Sequence, residues 1–257
     1  MLKLEHISYS IGKKRILQDV SLIFRTNEIN MILGPNGSGK STLLKIFAGE
    51  TTGYEGNVVY NNTPIQNISA LELAKQRAVM SQQTSLDFPL SVYEVIMMGR
   101  YPHFKIKPSK RDEEIVNEVV ELLQLQTFEQ RNYHTLSGGE KQRVQFARAL
   151  TQIWQTETKI KYIFLDEPLN NLDINFQQQL LSSLQYLRNE NIVIVAIVHD
   201  INLALQYATQ LFFLKDGALV QSGLVSDIDI AATVSHVFDV NANIIHLPKS
   251  NLPIVYL

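Results

Sequence analysis

Apolar and polar positions alternate along residues 2–24, with Leu2 and Leu4, and then Val20, Leu22 and Phe24, on the apolar beat. That period of two predicts two strands joined by a turn at Gly12-Lys13-Lys14. Residues 29–33 form a short apolar run that predicts a buried strand. Apolar residues then recur at Leu43, Leu44, Ile46 and Phe47, so a helix follows, reaching about Gly49. Residues 53–65 read as strand again, around Asn57-Val-Val-Tyr60 and a turn at Asn61-Asn62. Residues 79–82 read as another short strand.

From about Asp87 the pattern changes. Pro89, Pro102 and Pro108 punctuate the chain, and a helical period takes over up to about Gln155. It is clearest over residues 110–125, where Ile115, Val119, Leu122 and Leu123 are expected to share one face beside an acidic one. Residues 160–165 and 192–198 are continuous apolar runs of the kind found in parallel strands covered on both faces. A helix is expected between them over 175–187. Residues 211–220 read as a hairpin turning at Asp216-Gly217. The tail is mixed and carries no further domain signature, and the chain shows no repeats or low-complexity tract.

With 257 residues, 45% of them hydrophobic, the chain can bury a sizeable core as one large α/β domain, with or without an inserted lobe. A net charge of −2 offers no polyanion-binding face, which disfavours a nucleic-acid role. Without cysteine there is neither a disulfide framework nor a thiolate metal site, which fits a reducing compartment. The N-terminus lacks a signal peptide's charged start and long apolar run. The longest apolar stretch, residues 192–198, is too short to span a bilayer. A soluble chain is expected, one that reaches any membrane through a partner.

The junction of the first buried strand with its helix carries the most informative residues. Gly34-Pro35-Asn36-Gly37-Ser38-Gly39 is followed by Lys40-Ser41-Thr42, and strand, glycine loop, helix is the context such a match needs. The glycines let backbone N–H groups turn inward toward a polyphosphate, and the helix adds the positive end of its dipole. Lys40 can reach the β- and γ-phosphates of a nucleotide, and the Ser41 hydroxyl can ligate Mg²⁺. Farther on, Leu136-Ser137-Gly138-Gly139-Glu140 opens a helix with Ser137 as N-cap, a second anion-binding helix terminus. One nucleotide needs only one phosphate cradle per chain, so a second cradle suggests that two chains share each nucleotide face to face. The strand Tyr162-Ile-Phe-Leu ends in Asp166-Glu167, where Asp166 would hold the metal and Glu167 would take a proton from attacking water. His199-Asp200 ends another buried strand, and a histidine there can donate a hydrogen bond to the γ-phosphate.

In order and spacing, Gly34–Thr42, Gln82, Leu136–Glu140, Asp166–Glu167, Asn171-Leu172-Asp173 and His199 resemble the ATP-binding subunits of ABC transporters. The match spans essentially the whole chain, and the Leu-Ser-Gly-Gly-Glu element separates it from other phosphate-loop enzymes. The resemblance implies an α/β fold: a phosphate-loop NTPase core with a mixed sheet, an antiparallel β subdomain and an inserted α-helical subdomain. The chain would be a single domain over 1–257, with the core at about 1–86 and 156–257 and the helical part at 87–155. It implies ATP and Mg²⁺ as ligands, and a head-to-tail dimer in which Lys40 and Ser41 of one copy face Ser137, Gly138 and Gly139 of the other. Gln82 would sense Mg²⁺ and the attacking water, and Asp173 would help the two sites communicate. ATP binding would close the dimer, and hydrolysis would reopen it against two transmembrane permease subunits, at the cytoplasmic face of the membrane. Two departures stand out. Where the family has an aromatic residue against adenine this chain has Ile11, with Tyr9 two residues earlier and on the same strand face, so Tyr9 is the candidate. Residues 169–171 are Leu-Asn-Asn where small or hydroxyl residues are usual, and tolerance is expected there.

Residues 88–103 resemble the groove segment of ATPases that serve importers of metal chelates: haem, ferric siderophores and cobalamin. Tyr133-His-Thr-Leu-Ser-Gly-Gly and Ala149-Leu-Thr-Gln-Ile-Trp154 look most like haemin-import ATP-binding proteins. The resemblance thus implies an ATPase subunit for haem uptake, fed indirectly by a substrate-binding protein. A siderophore or cobalamin importer ATPase is the alternative, and a soluble ABC protein acting on ribosomes or DNA is the contrasting class. His103 and His134 read as surface residues rather than haem ligands. Phe88, Tyr101 and Pro102 read either as groove residues or as ordinary packing.

Overall fold

The computed structural model describes residues 1–81, 88–156, 158–170, 172–246 and 253–257. Strands β1 (Leu2–Ile11) and β2 (Lys14–Phe24) form the expected antiparallel hairpin. β3 (Ile29–Leu33) runs into α1 (Lys40–Phe47). β4 (Glu55–Tyr60) and the short β5 (Thr63–Pro64) return to β1, giving an outer sheet of order β2-β1-β4-β5. Next come α2 (Ala70–Gln76), β6 (Arg77–Met80), and the helices α3 (Val92–Met97), α4 (Lys110–Leu122) and α5 (Gly138–Ile153). β7 (Lys161–Asp166), α6 (Ile174–Leu187), β8 (Ile192–Ile197), α7 (Ile201–Tyr207), β9 (Gln210–Lys215) and β10 (Ala218–Leu224) follow. The main sheet has the order β10-β9-β3-β8-β7-β6, parallel throughout except for β9 against β10. The chain closes with α8 (Ile230–Phe238) and a hairpin of β11 (Asn243–His246) and β12 (Pro253–Tyr256).

The central strands are apolar on both faces because each face has its own core. All of β8 is buried. Its alternation sends Val193, Val195 and Ile197, with Tyr162 and Phe164 of β7, toward α1 and the outer sheet. Ile194 and Ala196, with Ile163 and Leu165, face the layer built from α3 to α8. On the first side Phe47 of α1 meets Phe24 and Phe164 edge-on, at ring-centre distances of 5.4 and 4.8 Å. Edge-on aromatic contacts of this kind hold a helix in one orientation. They seat α1, and with it the loop that precedes it.

Three expectations are corrected. The buried stripe of α4 is Ile115, Val116, Val119 and Val120, continued by Leu123, while Leu122 is 37% exposed. At 3.6 residues per turn Leu122 lies about 90° from the middle of that stripe. Asp112 lies within the stripe and is buried because its carboxylate meets Arg100 Nε at 2.9 Å. The strand expected at 79–82 is β6, two residues earlier. Ahead of it α2 was not expected; it starts on a reciprocal capping box between Ser69 and Glu72.

Candidate nucleotide site

The glycine loop leaves β3 at Gly34, whose φ is +154°. A Cβ at Gly34 would lie 2.1 Å from the Leu214 carbonyl oxygen, so β9 presses against the loop from below. Gly37 and Gly39 have φ of +82° and +97°, a region that glycine enters at little cost. The Ser38 carbonyl accepts from Gly217 N at 3.2 Å, which ties the loop to the β9–β10 turn. The Ser38 hydroxyl is buried and has no protein partner among the described residues. Lys40 is buried and its Nζ donates to the Gly34 and Pro35 carbonyls at 2.8 and 2.9 Å. Burial lowers its pKa, and the charges of Glu167 and Asp166 oppose that shift. The contact at Gly34 leads to a first prediction. Gly34→Ala should destabilise the fold by about 2 kcal/mol, as overpacking does. A thermal unfolding midpoint within a degree of the wild type would contradict it.

The C-terminal ends of β3, β7 and β8 converge beside this loop. Ser41 Oγ donates to Asp166 Oδ1 at 3.1 Å. Glu167 follows with φ of +53°, uncommon for a residue with a side chain. It turns back toward β8: Glu167 N donates to the Ile197 carbonyl at 3.2 Å, and His199 Nε2 meets Glu167 Oε1 at 2.7 Å. Asn170 Nδ2 donates to the other carboxylate oxygen. Five side chains named from the sequence, Lys40, Ser41, Asp166, Glu167 and His199, thus come together from three strand ends.

Burial pushes the Asp166 carboxyl pKa up, against the hydrogen bond from Ser41. A carboxyl with a raised folded-state pKa binds protons more readily in the fold than in the unfolded chain. Its ionisation therefore costs stability above that pKa, and the cost is relieved as pH falls through it. Asp166→Asn keeps an acceptor for Ser41 and removes the buried charge. At pH 7 the nucleotide-free variant should be at least as heat-stable as the wild type, yet gain less on adding ATP with Mg²⁺. A clear fall in its nucleotide-free midpoint would count against this account.

Ser137 caps α5 through a reciprocal box like those that start α2, α3 and α4. Its Oγ accepts from Glu140 N, and its own N–H donates to Glu140 Oε2 at 2.7 Å. The Ser137 backbone hydrogen bond is the main cause that holds the Glu140 carboxyl below its usual range. Gly138 and Gly139 occupy the first helical positions, whose N–H groups have no partner within the helix. A Cβ at Gly138 would meet open space. Among the described residues, no hydrogen bond or ion pair joins residues 137–140 to residues 34–42. This cradle is built and exposed, but it does not complete the loop of its own chain. Asp173 caps α6, accepting from Phe176 N at 2.8 Å.

Other expectations divide. Gln82 and Asn171 lie outside the described residues. The register shift between Tyr9 and Ser10 puts its extra residue, Ile16, on β2, so Tyr9 and Ile11 keep the i, i+2 spacing of one face on β1. Tyr9 is half-buried opposite Leu17, whose side chain reaches Gly39 of the loop, while Ile11 is 60% exposed. His134 is exposed as expected; His103 is half-buried, its Nε2 against the Gln152 carbonyl at 2.8 Å. Phe88 is 72% exposed, and Tyr101 is 57% exposed with its ring edge-on to Phe104 at 5.6 Å. Tyr101 lines a cleft of about 550 Å³ with Leu90, Met97, Phe104 and Ile106. Asn170 was missed as a partner of Glu167. Its only sequence signal is an amide three residues after the second acid.

The ABC transporter family profile matches residues 17–170, more than half of the chain. The chain belongs to the ABC transporter family. Among curated ABC relatives it is 44% identical over 209 residues to the hemin import ATP-binding protein HmuV of Escherichia coli O157:H7, covering 81% of this chain and 80% of that protein. Among solved ABC structures it is similar to an inward-facing transporter described as metal-chelate type, with 25% identity, a TM-score of 0.83, and coverage of 99% of this chain and 96% of that one. It is also similar to a dimeric bacterial ABC transporter cassette, with 28% identity, a TM-score of 0.75, and coverage of 88% and 99%. The fold is thus that of an ABC ATPase, a phosphate-loop NTPase core of an ATP-binding protein.

Proposed function

We propose that this chain is the ATP-hydrolysing subunit of a haem (haemin) importer, working as a dimer at the cytoplasmic face of the membrane. The observation that carries the reading is the relationship to a hemin import ATP-binding protein. The exposed cleft around Tyr101 supports it, because a mainly apolar cleft with Glu94 and Lys105 in its lining suits a segment of a permease subunit. Residues 87–155 would form the helical part that carries this cleft and the Ser137 cap, inserted into a core at 1–86 and 156–257.

The donor set fits a magnesium nucleotide. Ser41 and Asp166 present hydroxyl and carboxylate oxygens, the hard donors that Mg²⁺ takes together with phosphate oxygens. The unpartnered Ser38 hydroxyl sits within the loop. Held by Ser41 and Asp166, Mg²⁺ would supply positive charge against the phosphate oxygens. Lys40 would leave the two loop carbonyls for the β- and γ-phosphates, and the amides of 34–42 would turn to the same oxygens. Glu167, aimed by His199 and Asn170, would accept the proton of the attacking water. His199 would then be free to donate from Nε2 to the γ-phosphate, and Gln82 would sense the metal and the water. Tyr9 would lie against adenine. In the dimer, Ser137, Gly138 and Gly139, shaped by Glu140, would close over the partner's γ-phosphate, and Asp173 would link the two sites. The dimeric relative and the outward-facing Ser137 cap both support this arrangement.

Reconstitution tests the haem assignment. The chain with its two permease subunits, in lipid vesicles, should hydrolyse ATP faster when haem-loaded binding protein is added. Stimulation by a siderophore-loaded or cobalamin-loaded binding protein instead would move the assignment to that importer class.

A further inference from the structure

The segment that leaves the cleft is fastened directly to the turn before Ser137. Leu90, which lines the cleft, accepts at its carbonyl from Tyr133 N at 2.8 Å. Ser91 bridges to Asn132 in antiparallel fashion, and Val92 N donates to the Arg131 carbonyl at 3.0 Å. Phe88 is 72% exposed, and its carbonyl faces His134 Nε2 at 2.9 Å. At the other end, Arg131 Nη1 meets Glu140 Oε1 at 3.1 Å, and the Glu140 carboxylate holds the Ser137 N–H. A short two-stranded zipper therefore runs from the cleft to the cap of α5.

We propose that His134 is a positioning residue that carries occupancy of the cleft to the Ser137 cradle. The proposal rests on reading that cleft as the permease-docking face. Phe88 is joined to the zipper only through its backbone and this imidazole, so a displaced Phe88 pulls on His134, three residues before Ser137. Of the links described, His134 is the side chain that can be changed without touching the α5 cap or the strand pairing. Nε2–H donation is possible from one neutral tautomer and from the imidazolium, so the link does not depend on His134 charging. A glutamine amide reaches about as far as Nε2 and can donate in its place.

The test compares wild type, His134→Ala and His134→Gln, each as isolated subunit and as complex with the permease subunits in lipid vesicles. The readout is the ratio of ATPase rate in the complex to that of the isolated subunit. The isolated rates should be equal. In the complex, His134→Ala should lose about fivefold of the ratio, the low end of ordinary intersite coupling, and His134→Gln should keep most of it. An unchanged ratio in His134→Ala would overturn the relay, as would equal losses in both variants. If the alanine variant fails only to assemble, and its assembled fraction responds normally, His134 serves docking alone and the relay is wrong. If the wild type does not co-purify with a polytopic membrane protein, the docking reading falls first and the relay falls with it.

Discussion

Glu167→Gln is expected to cut ATP hydrolysis by about a thousandfold, within the range that general-base catalysis contributes. The amide is nearly isosteric, so the contacts around it survive in altered form. The glutamine oxygen still accepts from His199 Nε2 or Asn170 Nδ2, donors on the carboxylate among the described residues. What is lost is the lone pair basic enough to take a proton from water. Nucleotide affinity should therefore hold, and a dimer closed by ATP should persist because nothing reopens it. Phosphate release measured beside size-exclusion chromatography with ATP and Mg²⁺ checks both. A variant hydrolysing near the wild-type rate would remove Glu167 from the role of base.

Lys40→Ala acts earlier, on binding itself. Hydrogen bonds from a charged donor contribute roughly 1.5–3 kcal/mol each, so losing those to phosphate should raise the Kd for ATP on the order of 100-fold. The truncation also takes the Lys40 donor from the Gly34 carbonyl and leaves the Pro35 carbonyl with Ser38 N alone, and a lower midpoint of unfolding should accompany the binding loss. Titration with a fluorescent nucleotide well below that midpoint separates the two effects. A Kd within threefold of the wild type would mean the loop amides alone hold the phosphates.

Where the sequence is periodic, the structure is close to what its pattern predicts. The central strands are legible because both faces are buried, which writes an unbroken apolar run. The loop at Gly34 is legible because few residue types can make such a turn beside a lysine. Other features leave little trace. α2 buries only Leu73 among its seven residues, so it has no apolar period, and only Ser69 and Glu72 announce it. That Tyr9 packs on the core while Ile11 is exposed depends on what lies over each end of the strand, which the alternation of one strand does not encode. That Glu167, Asn170 and His199 meet is set by two strand ends brought side by side by the sheet order. The link from Phe88 to His134 runs through a backbone carbonyl, an atom every residue has.

The two cores have a mechanical corollary. Asp166 ends a strand gripped on both faces, with Phe164 on one side and Leu165 on the other. The Ser137 cap heads a helix that belongs to one of those layers only. The acids are fixed from both faces, and the cap is held from one face alone. Substitutions in the layer that carries the cap's helix, at Val144 or Val119, should therefore loosen the cap while the acids stay in place. Substitutions in the central strands should loosen acids and cap together.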